Sequence, residues 1–578
     1  MRGLMMDYPL TVGKIIQRAN RVFADKEVVS ILPSGRKHRY TNADLYRRTV
    51  RLMNVLRRLG VKPGERVGTF MWNHHRHLEL YFAIPSMGAV THTLNIRLFP
   101  DQLAYIVNHA ADAVIFVDAS LLPALEAVAP QLKTVRQFVV VTEDNTGDGT
   151  EDNTEDGTED NTGDGTEDST EDGMPPEATL PETTLPETTL SPIAGFEALM
   201  ADADETEDFP ELDEFSACGM CYTSGTTGHP KGVVYSHRGI YIHTLMAGMT
   251  DMLGFGERET VLPVVPMFHA NAWSVPFLAA MVGAKTVYAG QNVSPEALVP
   301  LIREEGVTFT LGVPTIWNAV LQYLRKEGGG LGELRTMIVG GSSAPPAMIR
   351  AYREEYGIEF IHAWGMTETS PLGTVNRLKK KMDHWTPEHR MAALTRVGIP
   401  APIVELRIVD DQGQEVPPDG ASPGELLVRG PAVASAYYNN PDSAVQFTED
   451  GWFRTGDVAT RDENAIVQIT DRTKDLIKSG GEWISSVEME NAIMACEGVL
   501  EAAVVARPDL KYDERPVAFV VPAPGGKGVD PARIIESLSG QFAKWQLPAP
   551  EDIRQIDQIP KTSVGKFDKK VLRARLEG

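Results

Sequence analysis

Short apolar runs separated by helix-length spacers constrain this chain more than any other feature. RVGTF (66–70), AVIFV (113–117) and QFVVV (137–141) are continuous apolar segments rich in β-branched residues, each next to helical material. TVLPVVP (260–266), TFTLGVP (308–314) and TMIVG (336–340) repeat the pattern, with helices expected at 272–283, 315–325 and 346–355. A strand covered on both faces reads as an unbroken apolar run, and a crossover helix returns the chain to start the next strand in parallel. An α/β fold with mostly parallel sheets follows. Residues 41–60, TNADLYRRTVRLMNVLRRLG, predict an amphipathic helix. Thr41 can cap it, Leu45, Val50, Met53 and Leu56 supply its apolar positions, and Gly60 can end it.

Between 404 and 430 the pattern changes. VELRIVD and GELLVRG flank a Gly/Pro-rich turn and predict a small antiparallel β-barrel. Past residue 472 a smaller α+β unit is expected, with a helix over 487–496, strands EAAVVA and PVAFVVP, and a helix around 531–543. At 578 residues the chain is too long for a single core. We expect a large N-terminal domain over 1–471 and a smaller mobile domain over 472–578.

The net charge of −24 belongs to one segment. Residues 143–214 hold 26 acids and no Lys or Arg, while the remainder has 53 acids against 55 bases. The acidity therefore says nothing about the substrate, and no basic footprint for nucleic acid exists. The segment opens with acidic octads (EDNTGDGT, EDNTEDGT) and continues with PETTLPETTL. Like charges without apolar periodicity cannot build a core, so a disordered insertion is expected over 143–192. No run is long and apolar enough for a transmembrane segment, and MRGLMMDYPLTVGK lacks a signal core, so a cytoplasmic enzyme is expected. Cys218, Cys221 and Cys496 argue against a disulfide framework, and the lone CxxC reads as coincidence.

YTSGTTGHPKG (222–232) packs hydroxyls, glycines and one lysine into a phosphate cradle. It is not a Walker A loop, because Pro230 precedes Lys231 and Gly232 occupies the place of the metal-binding Ser or Thr.

This stretch resembles the phosphate loop of the adenylate-forming, AMP-binding superfamily. WGMTETSP (364–371), GELLVRG (424–430), GWFRTGD (451–457), DRTKDLIKSGGEWIS (471–485) and PKTSVGKFDK (560–569) resemble its further motifs in order, most closely those of medium- and long-chain fatty-acid-CoA ligases. The resemblance implies activation of a carboxylate by ATP to an acyl-adenylate, then transfer to coenzyme A. Thr223, Ser224, Gly225, Thr226, Thr227, Gly228 and Lys231 would hold the β- and γ-phosphates. Thr367 would reach the α-phosphate, and Glu368, with Thr223, would hold Mg²⁺. Gly340, Gly341, Ser342, Trp364, Gly365 and Met366 would line the nucleotide pocket. The family more often has Tyr at Trp364, so a contact made by that phenol is absent. Asp457 would accept from the ribose hydroxyls with Arg472 beside it. Lys566 would bridge carboxylate and α-phosphate during adenylation.

The resemblance also implies rotation of the C-terminal domain about Lys474, bringing Gly480, Gly481, Glu482 and Trp483 round to the pantetheine channel. His269 would lie near the reacting carboxylate, or be a core histidine orienting a loop. Trp273 would gate the acyl chain, or be a core aromatic. FHANAWSVPFLAAMVGA carries no acid to pair a substrate ammonium, so an apolar acyl tail is expected. A methylthioalkanoate, or delivery to a carrier protein, is the enzymatic alternative. A non-catalytic scaffold using the acidic tract is the rival class, and Lys231, Glu368, Asp457 and Lys566 speak against it. By analogy a homodimer is expected.

Overall fold

The apolar runs become the strands of two large sheets in the computed structural model, which describes residues 1, 3–143, 185–223, 229–479, 482–523, 528–562 and 566–577. The seven-stranded sheet runs Ile193–Gly195, Gln137–Val141, Asp112–Asp118, Arg66–Phe70, Val90–Thr93, Ala217–Tyr222, Gly232–Ser236. Its pairs are parallel except the last, which is an antiparallel hairpin. The nine-stranded sheet has a parallel centre formed by Glu359–Gly365, Thr336–Val339, Phe309–Gly312, Thr260–Pro263, Lys285–Tyr288 and Glu27–Ile31. Antiparallel strands extend both of its edges. The expected α/β class holds, and both sheets are mostly parallel.

The helix expected over 41–60 spans Asn42–Arg58. Thr41 and Asp44 form a reciprocal capping box, and Leu45, Val50, Met53 and Leu56 are buried. The barrel-like piece is a four-stranded antiparallel sheet of Glu405–Val409, Gly424–Arg429, Phe453–Arg461 and Val467–Arg472. Beyond it, a smaller sheet centred on Val499–Asp509 and Asp513–Pro522 packs against the helices Ser486–Met494 and Pro531–Leu538.

Two expectations need correction. The insertion expected to reach residue 192 does not: described structure resumes at Leu185, and Leu190 is buried. The acidic segment then supplies the edge strand Ile193–Gly195 and the helix Phe196–Ala201, whose Phe196 and Met200 enter the core. Leu185 and Leu190 pack into the core and Glu126 accepts from the Thr189 N–H (2.8 Å), while further along charge complementarity holds the segment. Glu197 accepts from Arg48 (2.7 Å) and Arg76 (2.6 Å), and Arg51 donates to Glu205 (2.8 Å). The basic face of the helix Asn42–Arg58 thus faces these acids. The octads at 144–184 lie outside the described residues.

The second correction concerns the helix expected over 272–283. The helix begins at Val275, and Ala270–Ser274 instead form a left-handed turn with φ between 45° and 63°. For residues with a Cβ that conformation costs roughly 1–2 kcal/mol each, so surrounding contacts must hold it. Ser274 donates to the Ser370 carbonyl (3.1 Å), and the buried Asn271 side-chain oxygen accepts from the Cys221 thiol (3.6 Å). Cys218 and Cys221 are free, buried thiols on the strand Ala217–Tyr222.

Candidate active site

A cavity of about 830 Å³ opens where strand C-termini of the nine-stranded sheet, the phosphate hairpin, the four-stranded sheet and the C-terminal unit meet. Val313, Gly340 and Trp364–Met366 lie at or just past the ends of Phe309–Gly312, Thr336–Val339 and Glu359–Gly365. Ligand sites of open α/β sheets form at this edge.

The nucleotide wall explains its own glycines. A Cβ on Gly340 would lie 2.7 Å from the Ala363 carbonyl, and Gly341 holds φ +85°. Ser342 lines the cavity next to them. At Gly365 a Cβ would meet the Pro371 carbonyl at 1.9 Å, because the chain doubles back so that Met366 N–H donates to that carbonyl (2.9 Å). The Trp364 indole packs on Gly373 and donates its Nε1–H to Asp457 Oδ2 (2.9 Å). The indole, lacking a phenol hydroxyl, thus ties itself by its N–H to the predicted ribose ligand. Sheet register sets Asp457 opposite Arg472, and the two form an ion pair at 3.1 Å. Asp457 foremost raises the Arg472 guanidinium above its usual range, with burial opposing.

At the phosphate end, Thr223 N–H donates to the Lys231 carbonyl (2.9 Å), closing the base of the hairpin loop. Ser224, Gly225, Thr226, Thr227 and Gly228 lie outside the described residues. The Thr367 carbonyl accepts from the Tyr235 hydroxyl (2.9 Å), and the Glu368 carbonyl accepts from Ala434 N–H (2.8 Å). Tyr437 escaped the sequence reading. Its hydroxyl donates to the Glu368 carboxylate, and its ring centroid lies 5.0 Å from the Lys231 ammonium. AYYNNP carries no chemical signature beyond a turn, so only the fold reveals this bridge. Burial pushes the Glu368 carboxyl above its usual range, against the Tyr437 bond. A buried carboxylate in that state gains from a cation, and Thr223 lines the same cavity. These hard oxygen donors fit Mg²⁺.

Lys566 comes from the C-terminal unit into this cavity. Its Cε lies 3.8 Å from where a Gly341 Cβ would sit. Burial foremost, with Arg472 and Lys474, lowers its pKa to about 8, against the opposing pull of Asp457 and Glu368. The sign of the pH effect follows. The ammonium is the form that neutralises oxyanions, and it is lost as pH rises through that value. We expect kcat/KM for adenylation, which reports the free enzyme, to fall above about pH 8. Lys566→Arg, permanently charged, should abolish that limb while retaining measurable activity. An unchanged limb in the arginine variant would assign it elsewhere.

His269 and Trp273 line the same cavity. Burial first, then Lys566, lowers the His269 pKa to about 4, so it is neutral at physiological pH. Trp273 is part of the left-handed turn and reaches the nucleotide wall, its indole 3.3 Å from a Cβ built on Gly340. The Lys474 turn joins the four-stranded sheet to the smaller unit: Asp475 and Leu476 N–H groups donate back to the Arg472 carbonyl (2.8 and 3.0 Å). Trp483 lies 55% exposed on the strand Glu482–Ile484 and is not among the cavity-lining residues. Gly480 and Gly481 lie outside the described residues.

Comparison with known proteins gives the following. The AMP-binding enzyme family model matches residues 16–438, and that of the AMP-binding enzyme C-terminal domain matches 488–566. The chain is 45% identical to a long-chain-fatty-acid–CoA ligase of Thermus thermophilus, over 98% of this chain and 96% of the relative. It is 40% identical to a 3-methylmercaptopropionyl-CoA ligase of Ruegeria lacuscaerulensis (99% and 98%). It is 37% identical to a medium-chain-fatty-acid–CoA ligase of Ectopseudomonas oleovorans (100% and 97%). Among solved structures, an anthranilate CoA ligase in complex with anthranoyl-AMP superposes with a TM-score of 0.81 at 23% identity, covering 99% and 98% of the two chains, which is a likeness of fold.

Proposed function

The chain belongs to the AMP-binding enzyme family, and on that premise we propose that it converts a medium- to long-chain fatty acid, ATP and coenzyme A into acyl-CoA, AMP and pyrophosphate. The observation that carries this is Lys566, an amine delivered by the C-terminal unit into a cavity that also holds Asp457, Arg472 and Glu368.

In the first step a carboxylate oxygen attacks the α-phosphorus of ATP, and the bond to pyrophosphate breaks. Two anions must meet, so catalysis is positioning plus charge neutralisation. The Lys566 ammonium lies between them, and Lys231 with the phosphate loop takes the departing charge. Trp364 presents its face to adenine while its N–H orients Asp457, which accepts from the ribose hydroxyls. Arg472 pairs with Asp457 at 3.1 Å and holds its carboxylate in place. Thr223 and Glu368 would hold Mg²⁺ together with the nucleotide phosphates, and Tyr437 fixes the Glu368 carboxylate for that role. Bound there, the ion offsets phosphate charge. In the second step the CoA sulfur attacks the acyl carbon, and AMP leaves with the oxygen it gained from the acid.

Lys566 occupies the space a thiol would need, so the C-terminal unit rotates about Lys474 between the steps and brings Gly480–Trp483 to the cavity. His269, neutral, donates or accepts a hydrogen bond near the carboxylate without adding charge. Leu253, Val265, Trp273, Val313 and Leu372 give the cavity an apolar side suited to an alkyl tail, each buried CH₂ contributing roughly 0.8 kcal/mol. A cytoplasmic homodimer completes the proposal.

A chain-length series from about six to eighteen carbons, with 3-(methylthio)propanoate as a further arm, tests it through AMP release with and without CoA. CoA-dependent AMP release that rises with chain length is expected. Turnover confined to the methylthio acid supports the short-chain reading, raised by the Ruegeria relative. No AMP from any acid overturns both.

A further inference from the structure

Around the Lys474 turn lies a buried polar chain that the reaction scheme does not use. Asp471, the penultimate residue of the strand Val467–Arg472, is 1% exposed. Its Oδ2 accepts from both the N–H (2.6 Å) and the hydroxyl (2.7 Å) of Ser486, the first residue of the helix Ser486–Met494. The Ser486 oxygen in turn accepts from the Lys569 ammonium (2.6 Å), which also pairs with Glu490 at 2.7 Å. Glu490 is itself fixed by Val504 N–H (2.7 Å).

Two further ties flank this chain. The Ser485 hydroxyl donates to the Thr470 carbonyl, and Asn491 donates to Ser343 (3.3 Å) on the nucleotide wall. Lys569 opens the last helix, Lys569–Glu577, and stands three residues after Lys566. One turn along, Arg573 pairs with Asp475 and donates to the Lys474 carbonyl (3.2 Å).

The bonds of Asp471 to Ser486 cross the 473–475 turn, with the acceptor before it and the donors after it. They exist only while the C-terminal unit sits as described here, and a rotation that withdraws Lys566 breaks them. On such a rotation Lys569 keeps Ser486 and Glu490, and Asp471 keeps the Arg472 N–H (2.7 Å). The buried Asp471 carboxylate loses both Ser486 donors and its closeness to the Lys569 charge, a loss that favours the pose in which all are satisfied.

We propose that Lys569 is a positioning residue for Lys566, acting through Ser486 and Asp471 as a latch across the Lys474 turn that holds the adenylation pose and releases for the thioester step. This rests on the two-step reaction proposed above. The latch acts on one half-reaction, which separates it from a structural role.

The test measures the two half-reactions separately in Lys569→Met, Lys569→Arg and Ser486→Ala. Fatty-acid-dependent ATP–pyrophosphate exchange should fall about tenfold or more in Lys569→Met, in kcat rather than in KM for ATP. Thioester formation from preformed acyl-AMP and CoA should stay within about twofold, and Lys569→Arg should restore exchange. Ser486→Ala, which leaves the Lys569–Glu490 pair intact and guards against misfolding of the methionine variant, should shift the balance in the same direction. Equal losses in both half-reactions, or none in either, in folded Ser486→Ala overturn the latch while the wild type retains both. A wild type that exchanges no pyrophosphate overturns the reaction and the latch together.

Discussion

Lys566→Ala loses adenylation on the order of 10²–10³-fold, the scale of removing one preorganised charge-stabilising donor, and keeps thioester formation from preformed acyl-AMP. The asymmetry follows from where the amine sits. Lys566 lies among Arg472, Asp457, Glu368 and Lys474, beside the Gly340–Gly341 wall. An acid and a triphosphate can approach there only if their charge is offset. Once acyl-AMP exists that demand is gone, and the second step needs an open path to the carbonyl instead. Single-turnover assays of each half-reaction check this. Equal losses would make the lysine a structural residue of the C-terminal unit.

Lys474→Pro produces the reverse pattern. Proline fixes φ near −65° and restricts Thr473 before it, at the turn where the chain leaves the four-stranded sheet. A hinge that cannot redistribute its dihedrals keeps one pose. If the trapped pose is the one with Lys566 in the cavity, adenylation persists within a few-fold and thioester formation falls on the order of 100-fold, because the thiol cannot be positioned. Acyl-AMP should then accumulate on the protein after quenching, which a thiol-transfer defect of other origin would not combine with normal pyrophosphate release. A variant that thioesterifies at the wild-type rate would move the hinge away from Lys474.

The parallel strands were legible because burial on both faces demands runs such as AVIFV and TMIV, and the capping box of Thr41 and Asp44 is a local signal. The gathering of Asp457, Arg472, Glu368 and Lys566 at one cavity was legible for a different reason, since each stands in a motif of distinctive neighbours. What the sequence concealed depends on long-range pairing. Arg48 and Glu197 lie 149 residues apart, so the acidic segment read as pure excess charge until the fold set its later half against a basic helix. ANAWS has the composition of a helix start, and only contacts with Ser370 and Cys221 reveal its left-handed turn. Trp364 read as a π-face alone, since nothing local announces that its N–H meets Asp457, 93 residues on. Tyr437 and Lys569 likewise gain meaning from partners that no spacing rule connects.

The most direct measurement follows the oxygen atoms. A fatty acid labelled with ¹⁸O at both carboxylate positions is incubated with the enzyme, ATP, Mg²⁺ and CoA, and the products are read by mass spectrometry. Attack of the carboxylate on the α-phosphorus predicts one ¹⁸O in AMP and the other retained in the thioester carbonyl. Label appearing in inorganic phosphate, with unlabelled nucleotide, would mean an acyl-phosphate route and would contradict the account at its centre.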